Sequence, residues 1–393
     1  MFVELHMIQN FAPANLNRDD TNAPKDCDFG GYRRARISSQ CIKRAIRWDP
    51  AFGQLLESYG AFRTRRLILE ISKRIDGEDP PSAETVKLVA QVFNEGGIER
   101  PKVKRGEEAE KDHTKLILFL SRSGVDQMVQ LFKDTWEPLT KGNKQARKVL
   151  IDQLGETLAD AVRSPDIAMF GRMVEIGANK PFGKKHLNID AACQVAHAIS
   201  TNKAEMEFDF YTAVDDLQPQ EEAGAGMMGT IEFNSSCFYR YANIDFEQLV
   251  KNLQGDVELA RKSVEAFLRA AIAAVPTGKQ NSMAAQNPPS FVLAVVRPHG
   301  LWSLANAFVK PVWPDAQKDL IQKSIEALDQ YWGRLTSAYY GTGNGAAAPK
   351  ALFFKVHDAD LPHLKDRDLD KESLDELVKA VIARLPLAKE PKA

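Results

Sequence analysis

Residues 205–214 read EMEFDFYTAV. Met206, Phe208, Phe210, Thr212 and Val214 recur at every second place, so an extended strand carries them on one face. What lies on either side of this stretch decides the fold. Before it, residues 51–200 read as mostly helical, with helices predicted over 65–76, 82–94, 125–134, 143–163 and 191–200. After it, residues 229–244 again have strand character, and the connection turns acidic and then glycine-rich, ending GAGMMG at 224–229. Two strands so joined predict an extended hairpin or arm. Further out, residues 2–9 alternate, with Val3, Leu5 and Met7 on one side, which predicts a half-buried opening strand. Toward the C-terminus come a helix over 245–275, a loop over 276–289, a buried strand over 291–297, a helix over 313–336, a strand near 351–356, a helix over 371–385 and a charged tail. Strands and helices at both ends of a helical middle predict an α+β fold with a large helical insertion. Residues 95–114 read as an exposed insertion, and no internal repeat is present.

The chain has 393 residues, enough for a large core and two or more domains. Its net charge of −1 argues against a surface that coats nucleic acid all round, but leaves room for one basic groove balanced by acidic surface such as residues 215–222 (DDLQPQEE). The four cysteines, Cys27, Cys41, Cys193 and Cys237, lack the close spacing of a zinc site or a redox pair. No secretory pattern opens the chain and no apolar run is long enough to span a bilayer, so a reduced cytoplasmic protein with no membrane partner is expected.

The charge is concentrated in residues 16–47, LNRDDTNAPKDCDFGGYRRARISSQCIKRAIR. From Phe29 to Trp48 there are six Arg or Lys and no Asp or Glu. Residues 10–31 are rich in Asn, Asp, Pro and Gly and read as a long loop, and long loops in compact domains are often functional. A short strand over 32–37 follows, then a helix capped by Ser38 or Ser39. At about 100° per residue, Ile42 and Ile46 share one stripe, while Gln40, Lys43 and Arg47 lie within roughly 60° of one another on another. The first stripe suits a core and the second a partner. The helix start favours an anion, and Arg34 and Arg36 share one side of the preceding strand. Together these predict a phosphate track. The competing reading is a solvated charged face.

Other features carry weaker signals. The TGKQNS loop at 277–282 lacks Walker A spacing and suits either phosphate binding or an ordinary polar turn. Phe210, Tyr211 and Val214 fit either base wedges or a core strand. Lys141, Lys144, Arg147 and Lys148 form a second basic patch, either a weak DNA contact or a solvated face. His197, in CQVAHAIS, reads as a core histidine within an apolar helix, and the other histidines lack metal-ligand spacing. Asp19 and Asp20 are a paired-carboxylate candidate, and Cys41 among basic residues is a candidate activated thiol.

The pattern LNRDD–N–KD–FGG–RR–RISSQ–KRA–R, with DIAMFGRM at 166–173, QVAHA at 194–198, DFYTAVDD at 209–216, GAGMMGTIEF at 224–233, FYRY at 238–241 and GKQN at 278–281, closely resembles the CasC family. These are the backbone subunits of the type I-E CRISPR surveillance complex, Cascade. The resemblance implies a modified RRM-like (ferredoxin-like) palm over 1–59, 191–202 and 233–393, helical fingers over 60–190 and a β-hairpin thumb over 203–232. It implies a non-catalytic subunit, without metal or cofactor, that binds guide crRNA. Copies would stack head to tail with the other Cascade subunits and present the guide to a target DNA strand. Carried over by position, Ser38, Gln40, Lys43 and Arg47 would hold guide phosphates, with Lys279, Gln280 and Asn281 approaching the same backbone. Arg18 and Lys25 match basic residues of the long loop, Met173 would lie beside a displaced nucleotide, and Tyr211, Thr212 and Val214 would separate guide segments. Two rivals stand beside this reading. One is a metal-dependent ribonuclease acting on guide-paired target RNA through Asp19, Asp20 or Asp26. The other is an enzyme using Cys41 as nucleophile on a phosphorylated metabolite.

Overall fold

The structure, a computed structural model, describes residues 1–101, 112–161, 163–213, 227–341, 349, 351–364 and 370–387. The exposed insertion expected around 95–114, the acidic stretch 215–222 and the position of Val214 lie wholly or partly outside the described residues. Strands are β1 (Phe2–Ala14), β2 (Asp26–Phe29), β3 (Tyr32–Ile37), β4 (Ala61–Thr64), β5 (Leu118–Ser121), β6 (Cys193–Val195), β7 (Ala198–Ser200), β8 (Glu207–Ala213), β9 (Met227–Asp245), β10 (Phe291–Arg297) and β11 (Ala351–Lys355). Helices are α1 (Ser39–Trp48), α2 (Pro50–Tyr59), α3 (Leu67–Asp76), α4 (Ala83–Gly96), α5 (Arg122–Thr140), α6 (Lys144–Asp160), α7 (Pro165–Phe170), α8 (Phe246–Asn252), α9 (Val257–Ala273), α10 (Gln280–Met283), α11 (Leu320–Tyr340) and α12 (Leu374–Ile382). The class is mixed α+β.

The chain divides into two compact units. The first comprises residues 1–52, 194–246 and 264–386 and holds an antiparallel sheet in the order β11-β10-β1-β9-β7-β3-β2. β1 lies between β9 and β10, with Leu5 opposite Ala242 on one side and Ala294 on the other. One face of the sheet packs Ile8, Tyr239, Leu293 and Phe353 against Phe308 and the α11 residues Ile325, Leu328 and Trp332. The second unit comprises the described residues of 53–193 and 247–263 and is mainly helical. Its core gathers Leu67, Ile71, Phe93, Phe132, Leu154 and Phe182, beside the small β4–β5 pair.

Several expectations are corrected. β1 is buried on both faces, not one: Glu4, His6 and Ile8 are as inaccessible as Val3, Leu5 and Met7. Its polar face survives burial by pairing. Glu4 sits 2.7 Å from Arg297 and accepts from the Tyr241 hydroxyl at 2.9 Å, while His6 Nδ1 lies 2.9 Å from the Tyr239 hydroxyl. Residues 191–200 are not a helix but the short strands β6 and β7, paired into the sheet through β9 and β3. The helix expected over 245–275 is two, because Gln254 and Gly255 take positive φ between α8 and α9. The helix expected from residue 313 starts at α11, where the Asp319 side chain accepts from Gln322 N–H. Residues 10–31 are not one long loop. Residues 10–14 continue β1, and β2 turns into β3 through Gly30 and Gly31, with φ of 63° and 80°. Gly30 is doubly required, since a Cβ there would lie 2.1 Å from the Val309 carbonyl oxygen.

Candidate nucleic-acid interface

α1 forms where the sequence places it, and each end has a cause. The Ser38 hydroxyl accepts from Cys41 N–H at 3.3 Å, and Asp49, ahead of Pro50, leaves the helical region. Ile42 and Ile46 are buried, which turns Gln40, Lys43 and Arg47 outward, Gln40 exposed and the two basic residues half-buried. Ser38 itself is buried and spends its hydroxyl on the cap.

Two connections converge on this helix. The first is a tight turn over 17–25. Arg18 bridges to Pro24, Lys25 N–H donates to Asn17 O, and Asn17 Oδ1 accepts from Ser38 N–H at 2.8 Å, tying the turn to the helix start. Arg18 is exposed and Lys25 half-buried there. The second is the 276–283 connection, which contains α10. Gly278 presses against the backbone of Leu16, where a Cβ would meet the carbonyl oxygen at 2.3 Å. Lys279 holds a left-handed φ of 53° and Asn281 is exposed. The Gln280 amide donates to Pro276 O and Ala285 O, both at 3.1 Å, so this side chain closes the loop. Sheet-unit candidates from three distant stretches of sequence thus meet around α1.

His197 belongs to this cluster, and sequence reasoning misplaced it. It is exposed, not in the core, and its Nδ1 accepts from Ser39 N–H at 3.1 Å and lies 3.3 Å from Arg36 Nη1. Partial burial, then the charges of Arg36 and Lys25, hold its pKa below the ordinary histidine value. It is therefore a neutral acceptor at the helix start. Asn17 was also missed: an Asn in a loop gives no sign of a partner across the fold. Arg34, expected on the phosphate track beside Arg36, is fully buried. Its guanidinium donates to the carbonyls of Ser200, Thr201, Asn202, Phe308 and Val309. Cys41 is half-buried and its thiol pKa is pushed up by that burial, the opposite of an activated nucleophile.

The arm is a separate element of the sheet unit. β8 pairs with the first part of β9, Phe208 opposite Glu232 and Tyr211 opposite Gly229, while the rest of β9 lies beside β1. Phe208 and Phe210 are 68% and 63% exposed, so they are not core residues of this chain. Tyr211 and Thr212 are exposed too, and the Tyr211 ring lies over Gly229, where a Cβ would come within 2.4 Å of its hydroxyl.

The other candidates sit in the helical unit. Met173 is 75% exposed, directly after buried Arg172. Lys141 pairs with Glu137 and Arg147 with Glu95, which halves the charge offered by that patch, while Lys144 and Lys148 are exposed. The acidic candidates are committed locally. Asp19 Oδ1 accepts from Thr21 N–H, the Thr21 hydroxyl and Ala23 N–H, and Asp26 pairs with Arg33 at 2.6 Å. Asp20 is exposed. Among the described residues no three His, Cys, Asp or Glu side chains are grouped to hold a metal ion, and no helix is long and apolar enough to cross a membrane.

The sheet unit of this α+β chain thus carries both a helix with a basic face and an arm with exposed aromatic side chains. Residues 3–380 match the model of the Cas family described as CT1975-like protein, and the chain belongs to that family. Over 98% of its length it is similar to 99% of a chain from a solved CRISPR RNA-guided surveillance complex in a pre-nicking state, at 30% identity and a TM-score of 0.82. A chain of a second CRISPR RNA-guided surveillance complex matches over the same shares at 25% identity and a TM-score of 0.58. Among curated proteins no match was found.

Proposed function

We propose that this chain is the guide-RNA-binding backbone subunit of a CRISPR surveillance complex of the type I-E, CasC-like kind. One observation carries the reading: the 17–25 turn and the 276–283 connection meet beside the basic helix α1 in a chain similar throughout to a surveillance-complex subunit. The sheet unit would serve as an RRM-like palm, the helical unit as fingers and the β8–β9 arm as a thumb. Lys43, Arg47, Arg18, Lys25 and Lys279 present charge to phosphates, with Gln40 and Asn281 beside them. Phosphate contacts fix a strand without reading it, which suits a subunit that must accept any guide. Sequence reading is left to base pairing with the target DNA strand. Tyr211 and the exposed arm aromatics are chemically suited to wedge between bases. The role is non-catalytic, and the protein works in the cytoplasm with copies of itself and the other Cascade subunits.

The test is the double variant Lys43→Glu, Arg47→Glu. Guide-dependent assembly is expected to vanish at physiological salt while circular dichroism shows an intact fold. For the residual RNA binding, loss of two phosphate contacts lowers the slope of log affinity against log salt by about 1.4, at ~0.7 per contact on a single strand. Assembly that survives at physiological salt overturns the reading.

A further inference from the structure

We infer that a cleft on the flank of α1 receives one unstacked RNA base, held against the indole of Trp48; this rests on the guide-RNA reading above. The cleft has a volume of about 600 Å³ and lies between α1, the 17–22 turn and the backbone of residues 273–278. That size is within the ~300–1,000 Å³ range of small-molecule sites. Trp48 lines it and is 74% exposed, an apolar surface left bare by its own chain. The Arg44 guanidinium lies 5.8 Å from the centre of the indole ring, and Arg18 lines the cleft as well. Two carboxylates also line it and balance the two arginines, each accepting hydrogen bonds from its own turn. Asp19 accepts from Thr21 and Ala23, and Asp49 Oδ1 accepts from Ala51 N–H at 2.9 Å.

The helix sets the relation to the phosphate stripe. With Gln40 taken as zero and about 100° per residue, Lys43 and Arg47 fall near 300° and 340°, and Arg44 and Trp48 near 40° and 80°. The cleft therefore opens on the flank adjoining the stripe. A strand whose phosphates lie along the stripe has its sugar and base within reach of that flank. An aromatic ring beside an arginine accepts any base by stacking, because every base has a π face. The adjoining stripe, not the cleft itself, favours RNA over a protein occupant: Arg18 and Arg44 are balanced by Asp19 and Asp49 within the cleft, whereas Lys43 and Arg47 beside it are both positive.

The experiment uses the full chain with single-stranded oligoadenylate and an abasic strand of equal length. Trp48→Ala is expected to weaken oligoadenylate binding about 5- to 150-fold, the equivalent of ~1–3 kcal/mol of stacking, with the salt slope unchanged and abasic-strand binding unaffected. Trp48→Phe keeps most of the affinity but loses the base-dependent quenching of tryptophan fluorescence. If Trp48→Ala binds oligoadenylate like the wild type while Lys43→Glu, Arg47→Glu does not, the base site is refuted and the guide-RNA reading stands. If Trp48→Ala leaves RNA affinity intact but blocks association of copies, Trp48 is a protein contact and the proposal is wrong. A wild-type chain that binds neither strand refutes both.

Discussion

His6 is fully buried on the second face of β1, with the Tyr239 ring stacked beside it, the Tyr241 ring tilted against it and Arg297 nearby. Burial first, and the Arg297 charge second, push its pKa down from 6.5 to about 3. The sign follows from the proton count. Between these values the unfolded chain takes up a proton that the folded chain refuses, so the stability held above pH 6.5 is lost as pH falls toward 3. Glu4, beside it, is shifted up, first by burial, and so works in the opposite direction. The comparison must therefore be between variant and wild type. Urea unfolding of His6→Gln is expected to show a shallower acid slope, by up to ~1.4 kcal/mol per pH unit within that window. Parallel slopes would mean that His6 titrates normally. Such residues mark the limit of sequence reading. Arg34 and Arg36 are neighbours in an alternating strand and look alike as letters, yet Arg34 is buried under five carbonyls and Arg36 faces His197. Nothing local distinguishes them, because the carbonyls come from residues 200–202 and 308–309.

At the level of elements, one side chain ties the base of the arm to the 17–25 turn. Asn15 Nδ2 donates to Glu232 O at 2.8 Å and to Asn22 O at 3.0 Å, linking β9 where it leaves the sheet to the 17–25 turn. Asn15→Leu keeps the bulk and removes both bonds, leaving two carbonyls unpaired at a cost of about 1–3 kcal/mol. Faster amide exchange is expected around 230–235 and 19–25, with little change in β10 or β11; equal exchange in variant and wild type would show that Asn15 fastens nothing. The arm itself was legible, because an alternation of five side chains over ten residues belongs only to a strand. So was α1, with its Ser38 cap and its Ile42 and Ile46 stripe. Residues 191–200 were not. Each of β6 and β7 is three residues long, too short for a period of two to show against a period of 3.6. Their pairing with β9 and β3 decides the conformation from outside the segment. His197 was misread for the same reason: on a helix it looked like a core residue, and between two short strands it stands exposed at the start of α1.

On the scale of the whole molecule, the near-zero net charge sets a basic surface around α1 against acidic stretches elsewhere. The candidate site was legible in part: α1, the 17–25 turn and the 278–281 motif carried their own signals, but their meeting depends on the close approach of Gly278 to Leu16 and the bond from Ser38 N–H to Asn17. A subunit that lays one basic surface along a strand and reaches outward with an arm makes unlike contacts at its two ends. Such a head-to-tail interface need not close on itself. Under the proposed role that geometry fixes no copy number, and the length of the strand sets it. A neutral chain permits it, since like subunits approach without strong mutual repulsion. The proposed role therefore predicts that complexes formed on single-stranded RNAs of increasing length gain mass in steps of one 43.8 kDa chain, with each step requiring the same added length of RNA. Mass photometry or native mass spectrometry across a length series reads this directly. Lys43→Glu, Arg47→Glu should remove the steps altogether. A closed oligomer of fixed mass, formed with or without RNA, would place the limit in the protein interface and contradict a backbone measured out by its guide.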